Sequence, residues 1–213
     1  MEGVRKIKSG LVRALAIAVV ILSSIIVVEW LSGMPLQQSL FPYSITTKFT
    51  TAVSFVVAGL MLYLIPEKAH HLLRSMLLPL LTLALVILIF PVFVSSLLGL
   101  ETGFEQLFVK ESAGTTMTVF PGKPAVATMV DFLLIMLSGA LAILEPSMKK
   151  PALLAGLINC LSGASAIMGY LLGIPSLYFD IPGLSNPMAI PTALMFVLLG
   201  AALVSIAQDG EDA

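Results

Sequence analysis

The chain has 213 residues, 58% of them apolar and 11% charged, and its mean hydropathy of +1.05 lies outside the range of soluble globular domains. Eleven Lys and Arg against 12 Asp and Glu give a formal charge of -1, so there is no excess of positive charge with which to grip nucleic acid. One cysteine, Cys160, and two adjacent histidines, His70 and His71, exclude an intrachain disulfide, a four-thiolate zinc site, an iron-sulfur cluster and a haem held from facing helices.

A helix needs about 20 mostly apolar residues to cross roughly 30 Å of hydrocarbon. Six segments meet or approach that length: 14–31, 47–65, 76–98, 125–144, 152–174 and 188–206. The first follows Arg5, Lys6, Lys8 and Arg13, as a secretory signal would, but Glu29-Trp30-Leu31 lacks the small residues of a cleavage site and reads as a retained helix. The third contains Pro91, which removes a hydrogen bond from the turn before it and predicts a kink. The fourth carries Asp131. The fifth is rich in small residues, with Gly156, Cys160 and Ala164 four apart and Ser162, Gly163, Ser165 and Gly169 beside them, and is expected at the bundle centre. Gly200 with Ala201, and Ala58 with Gly59, offer matching close contacts, and Cys160 reads as a packing residue rather than a reactive thiol. Segment length and the shortage of polar and apolar alternation favour helices over barrel strands. The expected fold is therefore all-α: one polytopic transmembrane domain over 1–213 with six transmembrane helices.

Orientation follows from Lys and Arg near the helix ends. Arg5, Lys6, Lys8, Arg13, Lys68, Arg74, Lys149 and Lys150 fall on one side, against Lys48, Lys110 and Lys123 on the other. Both termini, including an acidic tail over 208–213, are expected to be cytoplasmic in a cell-membrane protein. Trp30, Phe41, Tyr43 and Tyr178 then fall near the outer boundary, where amphipathic rings prefer to lie.

The chain also repeats a unit of helix, external loop and helix three times, over about 11–66, 75–145 and 151–208, as three tandem helical hairpins. The first helix of each unit ends in Leu31-Ser32-Gly33, Leu98-Gly99-Leu100 or Leu172-Gly173-Ile174. The returning helices share Thr51-Ala52-Val53-Ser54-Phe55, with Gly59 four residues on, and Thr192-Ala193-Leu194-Met195-Phe196, with Gly200 at the same spacing. Thr128-Met129-Val130-Asp131-Phe132 is a weaker third copy whose glycine has moved to Gly139. Even numbers of crossings give the copies one orientation, related by an axis along the membrane normal.

These helix exits, the segment Glu101-Thr102-Gly103-Phe104-Glu105-Gln106-Leu107-Phe108 and the Thr-Ala-x-x-Phe-x-x-x-Gly return resemble the six-helix membrane regions that precede the signalling domains of some bacterial and archaeal sensor histidine kinases and diguanylate cyclases. The likeness covers most of the chain and implies a membrane sensory module. Those receptors continue into a coiled linker and an output domain, whereas this sequence runs to Gln208-Asp209-Gly210-Glu211-Asp212-Ala213, so output is expected from a separate cytoplasmic signalling protein, if there is any.

Ionisable groups inside apolar helices cost about 2.5 to 3.5 kcal/mol on insertion scales and are functional candidates by default. Asp131 lies six residues inside the fourth segment, and Glu29 lies near the outer end of the first. Facing inward, they could bind a cationic or hydrogen-bonding ligand or exchange protons. Otherwise Glu29 reaches interfacial water and Asp131 caps its helix. Asn159, midway along the fifth segment, is expected to hydrogen-bond to a neighbouring helix, with ligand contact a secondary role. Phe104, Leu107 and Phe108 recur at helical spacing in the external loop 101–123, which suits a short helix over the bundle mouth, either a lid or a solvated connector. The candidate ligand-binding residues are thus Asp131, Glu29, Asn159, Phe104 and Phe108, with no catalytic residue, metal site or cofactor expected.

No histidine falls within a span, no second aspartate faces Asp131, and no lysine lies mid-helix, which argues against nucleophilic catalysis, intramembrane aspartyl chemistry and a retinal Schiff base. The absence of a threefold ring of charge argues against a selective pore. Three classes remain. The first is a sensory or ligand-binding module with an outward-facing pocket for a small molecule or lipid. The second is a small transporter subunit. The third is a structural or assembly subunit among other membrane-complex subunits.

Overall fold

The computed structural model describes residues 2–66, 71–100, 103, 104, 109, 120–144, 149–179, 181 and 185–208. Among these, seven α-helices follow one another: α1 (Glu2–Ser32), α2 (Leu36–Leu40), α3 (Phe49–Leu64), α4 (His71–Leu97), α5 (Val126–Leu144), α6 (Lys149–Leu172) and α7 (Ile190–Gln208). A 3-10 turn, Pro175–Tyr178, follows α6, and the one bridge of β type among the described residues pairs Ile181 with Ser185.

Five helices are long and apolar enough to cross a membrane: α1 from Ser9, α4 from Arg74, α5, α6 and α7. The second expected span, 47–65, folds as α3, whose 16 residues extend about 24 Å and fall short of a full crossing by length alone. The short α2 and the 3-10 turn were not anticipated. Each lies in a connection where polar and turn-forming residues interrupt the apolar pattern. Pro79 and Pro91 both lie inside α4, which runs through them as one helix. A proline at either position withdraws one backbone donor, and each leaves its neighbouring carbonyl to be satisfied locally.

Three helix exits share one device. Gly33, Gly99 and Gly173 follow α1, α4 and α6 with φ of 69°, 64° and 67°. After Gly99, the Leu100 amide donates back to the Ser95 carbonyl at 2.9 Å, and after Gly173 the Ile174 amide donates to the Gly169 carbonyl at 2.9 Å. Both are the six-to-one closure of a Schellman motif, which needs a left-handed residue next to the helix end. Open space surrounds each of the three glycines, so the backbone angle, rather than crowding, calls for glycine.

The packing is layered around α3, α5 and α7. Phe55, Phe132 and Phe196, one from each, are fully buried and meet pairwise with ring centroids 4.7, 4.7 and 5.1 Å apart and planes tilted by 57° to 64°. These tilted contacts suit the ring quadrupoles. Ala58, Ile135 and Leu199 form the next buried layer along the same helices, three residues further on in each. Outside them, α1 packs on α3 and α7, α4 on α3 and α5, and α6 on α5 and α7. The outer faces of α1, α4 and α6 expose Ile17, Ile21, Leu83, Ile87, Leu161 and Leu171, a surface that water would penalise and lipid would not.

Close approach comes through glycine. A Cβ on Gly156 would stand 2.8 Å from the Gly200 carbonyl, one on Gly200 would stand 2.6 Å from the Gly156 carbonyl, and one on Gly163 would run into the carbonyl of Ala193. A Cβ on Gly59 would meet a Val20 methyl at 2.7 Å, which sets α3 against α1. The buried face of α6 is Ala155, Gly156, Asn159, Gly163, Ala166 and Gly169, while Ala164 is exposed and Cys160 is partly so. Of the expected stripe, Gly156 and Cys160 face α7 and only Ala164 is turned away, and α6 lies against α7 instead of at the centre. Cys160 acts within that contact, its thiol donating to the Val197 carbonyl at 3.5 Å.

Candidate functional site

The first turn of α5 is held from outside the helix: the Val126 amide donates to Ser185 Oγ at 3.0 Å, and Ser185 Oγ in turn donates to the Asn186 carbonyl at 2.9 Å. Asn186 locks the same connection, donating to the carbonyls of Phe120 and Lys123 at 2.6 and 2.7 Å and accepting from the Phe120 amide at 3.0 Å. These bonds fix the start of α5 and hence the depth of Asp131, five residues into the helix, about 7.5 Å along its axis.

Asp131 is 2% exposed and accepts a hydrogen bond from Ser162 Oγ at 2.6 Å. It does not cap its own helix. The pair stands in a cleft of about 590 Å³ between α5 and α6, lined by Val130 and Asp131, by Leu161, Ser162 and Ser165, and by Phe179 beyond the 3-10 turn. The walls are almost wholly apolar. Ser165 Oγ donates to the carbonyls of Ser162 and Leu177 at 2.9 and 3.2 Å, and Ser185 at the rim is committed to α5 and Asn186. Ser162 Oγ is the one hydrogen-bond partner of the Asp131 carboxylate among the described residues, which leaves Oδ1 for whatever enters.

Phe179 is brought to the cleft wall by the turn after α6. Tyr170 and Tyr178 stack with ring centroids 4.2 Å apart, and the absence of a side chain on Gly169 lets Leu177 and Tyr178 sit down on the helix. Met188 ties down the same turn, its amide donating to the Tyr178 carbonyl at 2.8 Å. Phe179, held between these anchors, adopts φ 62° and ψ 28°, a left-handed conformation that a bulky residue takes only where its surroundings impose it.

Of the other candidates, Glu29 is buried at 6% exposure but does not line the cleft. Its Oε1 accepts from the Gln37 amide at 2.8 Å in the first turn of α2. Gln37 Oε1 accepts from the Thr47 amide at 2.8 Å, and Trp30 Nε1 donates to the Thr47 carbonyl at 2.8 Å, so Glu29 belongs to a chain of bonds that ties α1, α2 and the start of α3. Asn159 is fully buried and donates to the Ala155 carbonyl of its own helix at 2.8 Å, rather than across to a neighbour as expected, and its Oδ1 has no partner. Phe104 is 37% exposed and lies away from the cleft lining, and Phe108 lies outside the described residues.

Asp131 is thus joined in the cleft by none of Glu29, Asn159 and Phe104. Its companions are Ser162, Ser165 and Phe179. The serines were visible in sequence only as part of a small-residue stripe, and nothing in the sequence marks Phe179 as left-handed. Among the described residues, no group of three or more His, Cys, Asp or Glu side chains is placed to hold a metal ion. No family model, curated protein or solved structure matches the chain.

Proposed function

We propose that this chain is an integral membrane ligand-binding module of the sensory class. In this reading it crosses the bilayer six times as three tandem hairpins, with both termini cytoplasmic and the cleft in the outer half. The repeat is supported by matched positions. Phe55, Phe132 and Phe196 meet in one cluster, the glycines after α1, α4 and α6 share one conformation, and each outer helix packs between its own inner partner and the one before it. Bilayer thinning or extended flanks accommodate the shorter α3.

The observation that carries the functional reading is the Asp131–Ser162 pair inside an otherwise apolar cleft. A carboxylate there is expensive unless it acts, and apolar walls with one strong acceptor suit a ligand with an apolar body and a single cationic or hydrogen-bond-donating group. The ligand wedges α5 against α6, and helix displacement at the cytoplasmic ends is what a partner reads. No catalytic step is assigned.

Octylamine, which combines an ammonium with an apolar tail, is the test probe. It is expected to raise the thermal midpoint of the purified protein in nanodiscs more than octanol does, and the difference should vanish in Asp131→Asn. Equal responses to the two probes, or a preserved difference in the variant, would remove the basis for this reading.

A further inference from the structure

The side chains that α5 and α6 turn outward pass directly in front of the Asp131–Ser162 pair. On α5, Val130, Leu137 and Leu144 recur seven residues apart, and all three are exposed. On α6, Leu154, Leu161 and Met168 do the same. Seven residues make nearly two full turns, so each set is one stripe along its helix. Both helices are long and apolar enough to cross a bilayer, and exposed apolar stripes on such helices are suited to lipid.

Val130 and Leu161 belong to these stripes and also line the cleft, where they are 39% and 69% exposed. Asp131 and Ser162 are the next residues in the chain. The polar pair therefore stands one position behind a lip made of two lipid-facing side chains. Leu161 lies about 18 Å from the start of α6 and about 16.5 Å from its end, a mid-helix position that hydrocarbon surrounds.

Toward the ends of the helices, polar guidance is lacking. Besides the pair, the lining residues with polar side chains are Ser165 and Ser185, and both hydroxyls donate to backbone carbonyls. Val126, Ala127, Phe179 and Ile181 complete that stretch of wall. A ligand arriving from water would shed its hydration along these residues without replacement. One already dissolved in the bilayer meets no such barrier between Val130 and Leu161.

We propose that the cleft takes its ligand sideways from the bilayer, and that the ligand is a single-chain membrane amphiphile. Its ammonium or hydroxyl head donates to Asp131 Oδ1, and its chain leaves between Val130 and Leu161 into lipid. This rests on the ligand-binding reading above and adds where the ligand resides and which way its chain runs. A cleft of about 590 Å³ has the size of a small-molecule site, and a side opening removes any upper limit on chain length.

Octylamine, dodecylamine and octadecylamine are added to the full chain in nanodiscs at equal mole fraction in the lipid, each against the alcohol of the same length. All three amines are expected to raise the thermal midpoint above their alcohols by roughly 2–5 °C, and Asp131→Asn should abolish each difference. Stabilisation by octylamine that is lost with octadecylamine would show a cleft closed to lipid, overturning this inference while the ligand-binding reading stood. No difference for any amine would overturn both. Leu161→Trp enlarges a side chain at the lip and should reduce the octadecylamine response more than the octylamine response. An octadecylamine response untouched by that substitution would mean that the chain does not leave there, and the proposal would fall.

Discussion

Glycines of two kinds hold this molecule in shape, and substitution separates them. At Gly173, where φ is 67° and nothing lies within 4 Å, a methyl group meets no neighbour and only the backbone angle is strained. Gly173→Ala is therefore expected to cost about 1 kcal/mol. At Gly163 the added carbon faces the carbonyl of Ala193, a backbone atom that cannot step aside without moving α7. Gly163→Ala should cost more than about 2 kcal/mol by overpacking. Unfolding free energies in mixed micelles check the order, and a Gly163→Ala cost at or below that of Gly173→Ala would mean that α6 and α7 are not in such close contact. Legibility differs among residues for a similar reason. Asp131 stands out because an ionisable group in an apolar run is conspicuous. Ser162 does not, because a serine in a small-residue helix is as useful for packing as for bonding. Phe179 gives no sign at all, since its left-handed backbone is imposed by the stacked tyrosines and the Tyr178–Met188 bond on either side.

Helix faces and their pairings come next, and here periodicity was informative but its reading was coarse. Residues four apart drift by about 40° per step around a helix, so Ala164 stands roughly 80° from Gly156, whereas Gly163, seven residues on, returns to within about 20°. The structure buries Gly156 and Gly163 and exposes Ala164 accordingly. The aromatic cluster was foreshadowed better: the phenylalanine of the recurring Thr-x-x-x-Phe pattern is the residue that each inner helix contributes to the centre. If α3, α5 and α7 meet through those rings, alanine double-mutant cycles over the three pairs should each return a coupling of about 0.5–1.5 kcal/mol. A Phe55–Phe132 coupling near zero would show that the rings are buried independently. The exchanged helix caps make a further test. Ser44 lies four residues before Lys48 and Ser185 four before Ala189, yet each serves the helix of a different unit. Ser44→Ala should therefore destabilise α7, and Ser185→Ala should destabilise α5, by about 0.5–2 kcal/mol each. Hydrogen exchange localised to the first turn of the named helix distinguishes this from loss within the serine's own segment.

Across the whole molecule, composition and segment length alone sufficed for a helical membrane architecture, because a span must satisfy its backbone internally and must be long enough to cross. They were insufficient for α3, whose 16 residues do not reach that length and whose partners hold it at the centre by packing. The number of crossings is therefore the property on which the proposed topology turns. With six crossings, the connection carrying Tyr43, which is 83% exposed, lies outside, and the exposed Lys150 at the start of α6 lies inside. With five, α3 would stay within one leaflet, and every element after it would change sides. On a Cys160→Ala background, chosen because that thiol is the chain's own, Tyr43→Cys should react with a membrane-impermeant maleimide added to intact cells. Lys150→Cys should react only after the membrane is opened. Tyr43 lies in the connection between α2 and α3 and Lys150 at the exposed start of α6, so neither substitution disturbs the packing that the labelling reads. Labelling of Tyr43→Cys and Lys150→Cys from the same side would require an even number of crossings between them, as when α3 does not cross, and would exclude the arrangement of three parallel hairpins.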